Sequence, residues 1–170
     1  YSVAELIEQF EDIIAGKVSI EKRMLLLARI FSGSKEVFVS TAVNDVFVNA
    51  GSPFRAIELK VSVNSEKIAS CVSDGLIVSS PTGSTAYSLS CGGPILSGDI
   101  GAFVLTAICP HSLSFRPIVI KDSSIVEICC VGVNEGTAVS MDGQVTHNLL
   151  EGQVVRIERH KGDFLLVNNP

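Results

Sequence analysis

Apolar and polar residues alternate most clearly over residues 57–63, where Ile57, Leu59, Val61 and Val63 are separated by Glu58, Lys60 and Ser62. A period of two sends the two sets to opposite faces of a β-strand. The polar stretch 64–67 that follows supplies a turn, so residues 68–72 are expected to return as the second arm of a hairpin. Shorter runs of the same character predict strands over residues 37–41, 45–49, 75–80, 103–108, 118–120, 124–131, 137–141, 154–160 and 164–167. Residues 21–31 fit either element: their composition favours helix, but Met24, Leu26, Ala28 and Ile30 alternate, and strand is the expectation. At the start of the chain, Ser2 followed by Glu5 is a capping-box pattern. Val3, Leu6, Ile7, Phe10 and Ile14 then recur at helical spacing until Gly16, predicting a short amphipathic helix. Many short strands without alternating helices imply a mainly β fold, an antiparallel β-sandwich with an N-terminal helix and a helix after the Pro81-Thr82-Gly83 turn. At 170 residues the chain is expected to form a single domain, 1–170.

Composition narrows the function classes. Apolar residues make up 46% of the chain and charged residues 18%, so it has a core to bury, with enough apolar surface left over to suggest burial against another domain or subunit. The formal net charge is -5 and the basic residues are scattered, which argues against nucleic acid as a partner. No apolar run reaches the roughly 18 residues of a membrane-spanning helix, so no membrane is expected as a partner either. The five cysteines Cys71, Cys91, Cys109, Cys129 and Cys130 are odd in number, form no C-x-x-C pair and have no neighbouring His to complete a zinc set. Buried free thiols in a reducing, cytoplasmic setting are the expectation. No signal-peptide pattern opens the chain, and a helix signal that starts at once without an initiating Met suggests a piece of a longer protein.

The most unusual segment runs Asp74-Gly75-Leu76-Ile77-Val78-Ser79-Ser80-Pro81-Thr82-Gly83-Ser84-Thr85-Ala86-Tyr87-Ser88-Leu89-Ser90-Cys91-Gly92-Gly93-Pro94. A strand is expected to end at Pro81 in a small, hydroxyl-rich turn that opens a helix. The free N–H groups and positive dipole end of such a helix suit a phosphate or ribose oxygen. The spacing matches neither a Walker loop nor a dinucleotide G-x-G-x-x-G, so the residues alone leave an ordinary N-capped helix as the alternative. Taken whole, the segment resembles the signature of NAD kinases. Asn44-Asp45, Pro110-His111-Ser112-Leu113-Ser114-Phe115-Arg116-Pro117 and Asp142-Gly143-Gln144 resemble the same family in the same order, so the resemblance covers nearly the whole chain.

The resemblance implies the C-terminal, NAD-binding β-domain of a two-domain kinase. Such enzymes move the γ-phosphate of ATP, or in some members a phosphate of inorganic polyphosphate, to the 2′-hydroxyl of the adenosine ribose of NAD. The reaction needs an in-line acceptor oxygen, a group for its proton and cationic help on the donor phosphates, with Mg²⁺ the expected metal. The family takes these mainly from a Gly-Gly-Asp-Gly segment in its upstream domain, and this chain has none. The implied partners are NAD, ATP, the upstream catalytic domain of the same chain, and further copies in a homodimer or homotetramer built through the β-domain; the piece alone is expected to be inactive.

Position by position, Asn44 and Asp45 match the pair that meets the adenosine end of NAD, the carboxylate accepting ribose hydroxyl hydrogen bonds. An Asn-Asp turn is the plain alternative. Thr85, Ala86, Tyr87 and Ser90 match residues around the adenine and ribose, joined by Thr82. Asp74 matches an acidic residue lining the dinucleotide pocket, Arg55 a basic position facing it, and Gln144 a polar ligand contact. Val72 stands where many relatives carry Lys or Arg, so one phosphate-facing contact is missing or supplied elsewhere. His111 and Arg116 have the chemistry to titrate or to grip phosphate, but the resemblance implies a structural turn near the pocket and a subunit contact. Two other readings remain at this point: a related lipid kinase domain, which needs a deep apolar pocket in place of the hydroxyl-rich loop, and a non-catalytic NAD(P)-binding module.

Overall fold

A computed structural model of the chain describes residues 2–53, 55–111 and 115–167. It is an antiparallel β-sandwich. The strands are β1 (Ile20–Ser32), β2 (Lys35–Ala42), β3 (Asp45–Asn49), β4 (Ile57–Val63), β5 (Glu66–Ser73), β6 (Gly75–Ser79), β7 (Ala102–Ile108), β8 (Ile118–Lys121), β9 (Val126–Gly132), β10 (Ala138–Met141), β11 (Val145–Asn148) and β12 (Val154–Val167). One six-stranded sheet runs β2-β1-β12-β9-β4-β5 and the other β11-β10-β3-β6-β7-β8. Residues 21–31 are strand, because their alternation lets Leu26, Ala28 and Ile30 enter the core on one side.

The core is the layer between the sheets. Leu26, Ile30, Leu59, Ile128 and Ile157 from the first sheet meet Val46, Leu76, Val78, Phe103, Leu105 and Met141 from the second. Each such side chain contributes about 1.5–3 kcal/mol through removal from water. The outer faces differ. The first sheet turns out half-exposed side chains tied by ion pairs: Arg29 with Glu36 at 3.2 Å and with Glu158 at 2.5 Å, and Arg156 with Glu127 at 2.8 Å. In the second sheet β6 and β7 are buried on both faces, because the chain after β6 folds back over them.

Three elements depart from expectation. The segments 154–160 and 164–167 are one strand: Met24 faces Asp163 whereas Leu26 faces Arg159, so an irregularity in register absorbs the interruption around Gly162. Strand β11 was not expected, since Val145–Asn148 is short, mostly polar and mostly exposed at a sheet edge. Helix α1 (Val3–Ile14) has the expected capping box, with the Glu5 amide donating to Ser2 Oγ at 3.3 Å and the Ser2 amide to Glu5 Oε2 at 2.5 Å. Yet none of its residues is buried, and Val3, Leu6, Ile7, Phe10 and Ile14 all lie open.

Candidate functional site

The segment after β6 is helical in two short pieces, a 3-10 turn Thr82–Thr85 and a single α-helical turn, α2 (Tyr87–Ser90). Ala86, at φ -95 and ψ -127, breaks the run between them. Four residues align too few peptide dipoles to act as the anion-binding helix end that the sequence suggested. Packing fixes the start of the segment. A Cβ on Gly83 would lie 1.9 Å from the Asn44 carbonyl oxygen, so only glycine allows the turn to sit on the Asn44 backbone. Ser80 completes the join: its hydroxyl donates to Val43 O at 2.6 Å and accepts from the Gly83 amide at 3.1 Å, while its own amide donates to Asn44 O at 2.8 Å.

Asn44 and Asp45, expected from sequence to act together, are thus brought against the Thr82–Tyr87 segment. The Asp45 carboxylate accepts the backbone N–H of Tyr87. The Tyr87 ring meets Phe47 edge-on, centroids 5.3 Å apart at 82°. Asp45 is 3% exposed; burial first, then the nearby Asp142 carboxylate, push its pKa from 3.8 up to about 6, against the Tyr87 hydrogen bond that lowers it. Asp142 stands across from it at φ +52 and accepts the amides of Val43, Asn44 and Asp45 at 2.8, 2.7 and 3.1 Å. The same turn carries Gln144, exposed, its amide donating to Met141 O at 3.0 Å.

Asp74 and Arg55 lie at the other end of β3. Asp45 pairs with Ser79, and Asn49 with Gly75, the residue after Asp74; the two ends are therefore about 13 Å apart at roughly 3.3 Å per residue. Asp74 bridges neighbours through its backbone, accepting from Ala50 N at 2.8 Å and donating to Ile108 O at 2.9 Å. Arg55 is exposed, and its carbonyl accepts from Asn134 Nδ2 at 2.6 Å, while Asn134 Oδ1 accepts the Gly51 amide at 2.9 Å. Burial raises the Tyr87 pKa most, followed by Cys91, Cys109, Asp74 and Asp45. Thr85 and Ser90 are exposed on the covering segment, as is Ala86. Thr85 Oγ1 donates to Thr82 O at 3.2 Å, whereas Thr82 Oγ1 is buried without a hydrogen-bond partner among the described residues.

Residues 43–169 match the family described as the ATP-NAD kinase C-terminal domain. The chain belongs to that family. Among relatives of the ATP-NAD kinase family, the NAD kinase of Desulforamulus reducens is 44% identical over 157 residues, covering 92% of this chain and 54% of that protein. The NAD kinase of Geotalea daltonii is 35% identical over 168 residues, 99% of this chain and 59% of its own. The chain thus spans little more than half the length of these relatives. Its structure is similar to yeast NADH kinase solved with NADH, at TM-score 0.90 and 27% identity over 98% of this chain and 51% of the other. It also shares the fold of an Archaeoglobus fulgidus NAD kinase solved with ATP, at TM-score 0.78 and 21% identity, over 96% of this chain and 61% of that one.

Sequence reading had not assigned roles to Asp142, Ser80, Phe47 or Asn134. Asp142 stood only within the Asp142-Gly143-Gln144 segment of the resemblance; its amide partners, nearly a hundred residues upstream, were not visible. The expected burial of the thiols holds for Cys71 and Cys130, but Cys91 and Cys129 are half-buried and Cys109 is exposed at φ +46, where the chain leaves the end of β7. Of the Pro110–Pro117 segment, expected to form a turn and a subunit contact, Ser112, Leu113 and Ser114 lie outside the described residues; His111 is exposed, with its amide on Val72 O.

Proposed function

We propose that this chain is the dinucleotide-binding half of an NAD kinase, which phosphorylates the 2′-hydroxyl of the adenosine ribose of NAD with ATP or polyphosphate as donor. The observation that carries the reading is the seating of the Thr82–Tyr87 segment on Asn44 and Asp45. It gathers the Asp45 carboxylate, the Asn44 backbone, an aromatic ring and a buried hydroxyl with no hydrogen-bond partner among the described residues beside one backbone join. A carboxylate accepts paired ribose hydroxyls, an aromatic ring covers an adenine face, and an unpaired hydroxyl calls for a polar partner. The spread from Asp45 to Asp74 and Arg55 suits an elongated ligand rather than a mononucleotide. Thr85, Ala86, Ser90 and Gln144 line its rim in this reading. The relatives' own ligands agree with it, since the yeast protein was solved with NADH and the archaeal one with ATP.

Among the described residues no group of three or more His, Cys, Asp or Glu side chains is placed to hold a metal ion. In this reading 1–170 is the second domain of a longer chain, the catalytic Asp belongs to the part of the relatives' length that this chain does not span, and the open apolar stripe of α1 faces that part. Assembly into a homodimer or homotetramer through the half-exposed sheet face, in the cytoplasm, completes the proposal.

Calorimetric titration of the natural full-length protein with NAD, NADP and ATP tests it. Binding of NAD or NADP that is lost in Asn44→Ala, with folding retained, supports the reading. Undiminished NAD binding in both Asn44→Ala and Asp45→Ala sinks it, and binding of ATP that these two substitutions abolish while NAD binding persists means the wrong nucleotide has been assigned.

A further inference from the structure

We infer that Asp142 is a positioning residue for ligand binding: its carboxylate grips the Val43–Asp45 backbone so that Asn44 and Asp45 present their side chains to the dinucleotide in one fixed orientation. The inference rests on the proposed role of Asn44 and Asp45. Three successive amides, of Val43, Asn44 and Asp45, converge on the two oxygens of one carboxylate at 2.8, 2.7 and 3.1 Å. The Asp142 amide answers by donating to Asp45 O at 3.0 Å. On the other flank, Ser80 holds Val43 O and Asn44 O. The backbone polar groups leading into β3 are thus fixed from both sides, by residues far away in sequence.

The choice of a carboxylate is informative. Converging N–H groups form an anion-binding nest, and charge-assisted bonds of this kind are about twice as strong as neutral ones. An Asn in the same place has one acceptor oxygen and leaves part of the nest unmet. The carboxylate has a cost, because it stands beside Asp45 and opposes that group's ionisation. The titratable groups that face Asp45 from the packed elements are Asp142, from the turn after β10, and Tyr87, from α2. A ligand whose hydroxyls donate to Asp45 favours the ionised form, so Asp142 links ligand uptake to proton release at Asp45.

Titration of the natural full-length protein with NAD from pH 5 to pH 8, for wild type, Asp142→Asn, Asp142→Glu and Asp45→Asn, separates grip from charge. Wild-type affinity is expected to fall as pH drops through about 6, where Asp45 takes up a proton. In Asp142→Asn the midpoint moves to lower pH, and affinity at pH 8 falls by about tenfold or more as the grip weakens. Asp142→Glu keeps the charge but overreaches the nest, so affinity falls while the midpoint stays nearer the wild-type value. If Asp142→Asn and Asp142→Glu leave both affinity and midpoint unchanged, the inference is overturned even where melting temperature drops, because that is the behaviour of a merely structural turn. If Asp45→Asn also binds NAD as wild type does, it is the ligand reading that has failed.

Discussion

Replacing Asp45 by Asn removes a carboxylate that is 3% exposed and faces a second carboxylate, Asp142, while keeping an acceptor oxygen for the Tyr87 amide. The folded chain holds the Asp45 pKa at about 6, against an ordinary 3.8 that applies when the chain is unfolded. Below pH 3.8 the group is protonated in both states and costs nothing; as pH rises from there through about 6, folding must keep a charge that the site disfavours, and stability is lost. Above that window the full cost applies, about 3 kcal/mol at 1.36 kcal/mol per pH unit, taken as an order of magnitude. The Asn variant escapes it. Asp45→Asn is therefore expected to be more stable than wild type by about 1–3 kcal/mol at pH 7.5, with the difference shrinking towards zero near pH 4. Urea denaturation at the two pH values, with the slope of the transition checked for constancy, measures this directly. A variant no more stable at pH 7.5, or a gain that persists unchanged at pH 4, refutes the argument that Asp45 is a charge kept at the fold's expense. Paired with loss of NAD binding, the expected gain shows that the site trades stability for function.

Other substitutions probe separate parts of the structure. Gly83→Ala drives a Cβ to within 1.9 Å of Asn44 O, so the turn must lift away; a loss of more than about 1–3 kcal/mol in a urea titration is expected, and a neutral effect contradicts the close approach. Leu59→Ala empties a fully buried position between the sheets and is expected to cost about 2–5 kcal/mol by the same assay. Burial, with Cys129 beside it, pushes the Cys130 thiol up to about 12, while Cys109 is exposed. Iodoacetamide at pH 8 should therefore modify Cys109 first and reach Cys71 and Cys130 only on unfolding, and peptide mass spectrometry that finds Cys130 labelled in the native protein counts against the packing described.

Much of the sandwich was legible because its strands have one face in the core. Leu26, Leu59 and Ile157 alternate with polar or half-exposed residues, and that periodicity is visible without any knowledge of partners. Strand β11 escaped notice for the opposite reason: only the edge of β10 holds it, and Val145–Asn148 has no buried set to announce it. The helix after Thr82 is interrupted at Ala86, and nothing local in the sequence reveals either that break or that Gly83 must lie on Asn44. In the site, the resemblance pointed to Asn44, Asp45 and Tyr87, and the fold brings them together; it could not show that Asp74 and Arg55 stand a strand's length away. Least legible was Asp142, whose importance lies wholly in amides contributed from 98 residues upstream and thereabouts.

The pairing of β1 with β12 has a mechanical consequence. Ile20 lies opposite Val167, so the first and last strands of the sandwich start and finish side by side and run together as far as Phe31 opposite Val154. In this geometry, tension applied between Ile20 and Val167 loads the ladder one rung at a time, as in opening a zipper, instead of shearing all its hydrogen bonds at once. Under such a pull the sandwich parts at Ile20 and Val167 first, where Phe164, Leu165 and Leu166 are already exposed, and the rupture has to travel the length of the ribbon before it reaches the fully buried rungs at Ala28 and Ile30.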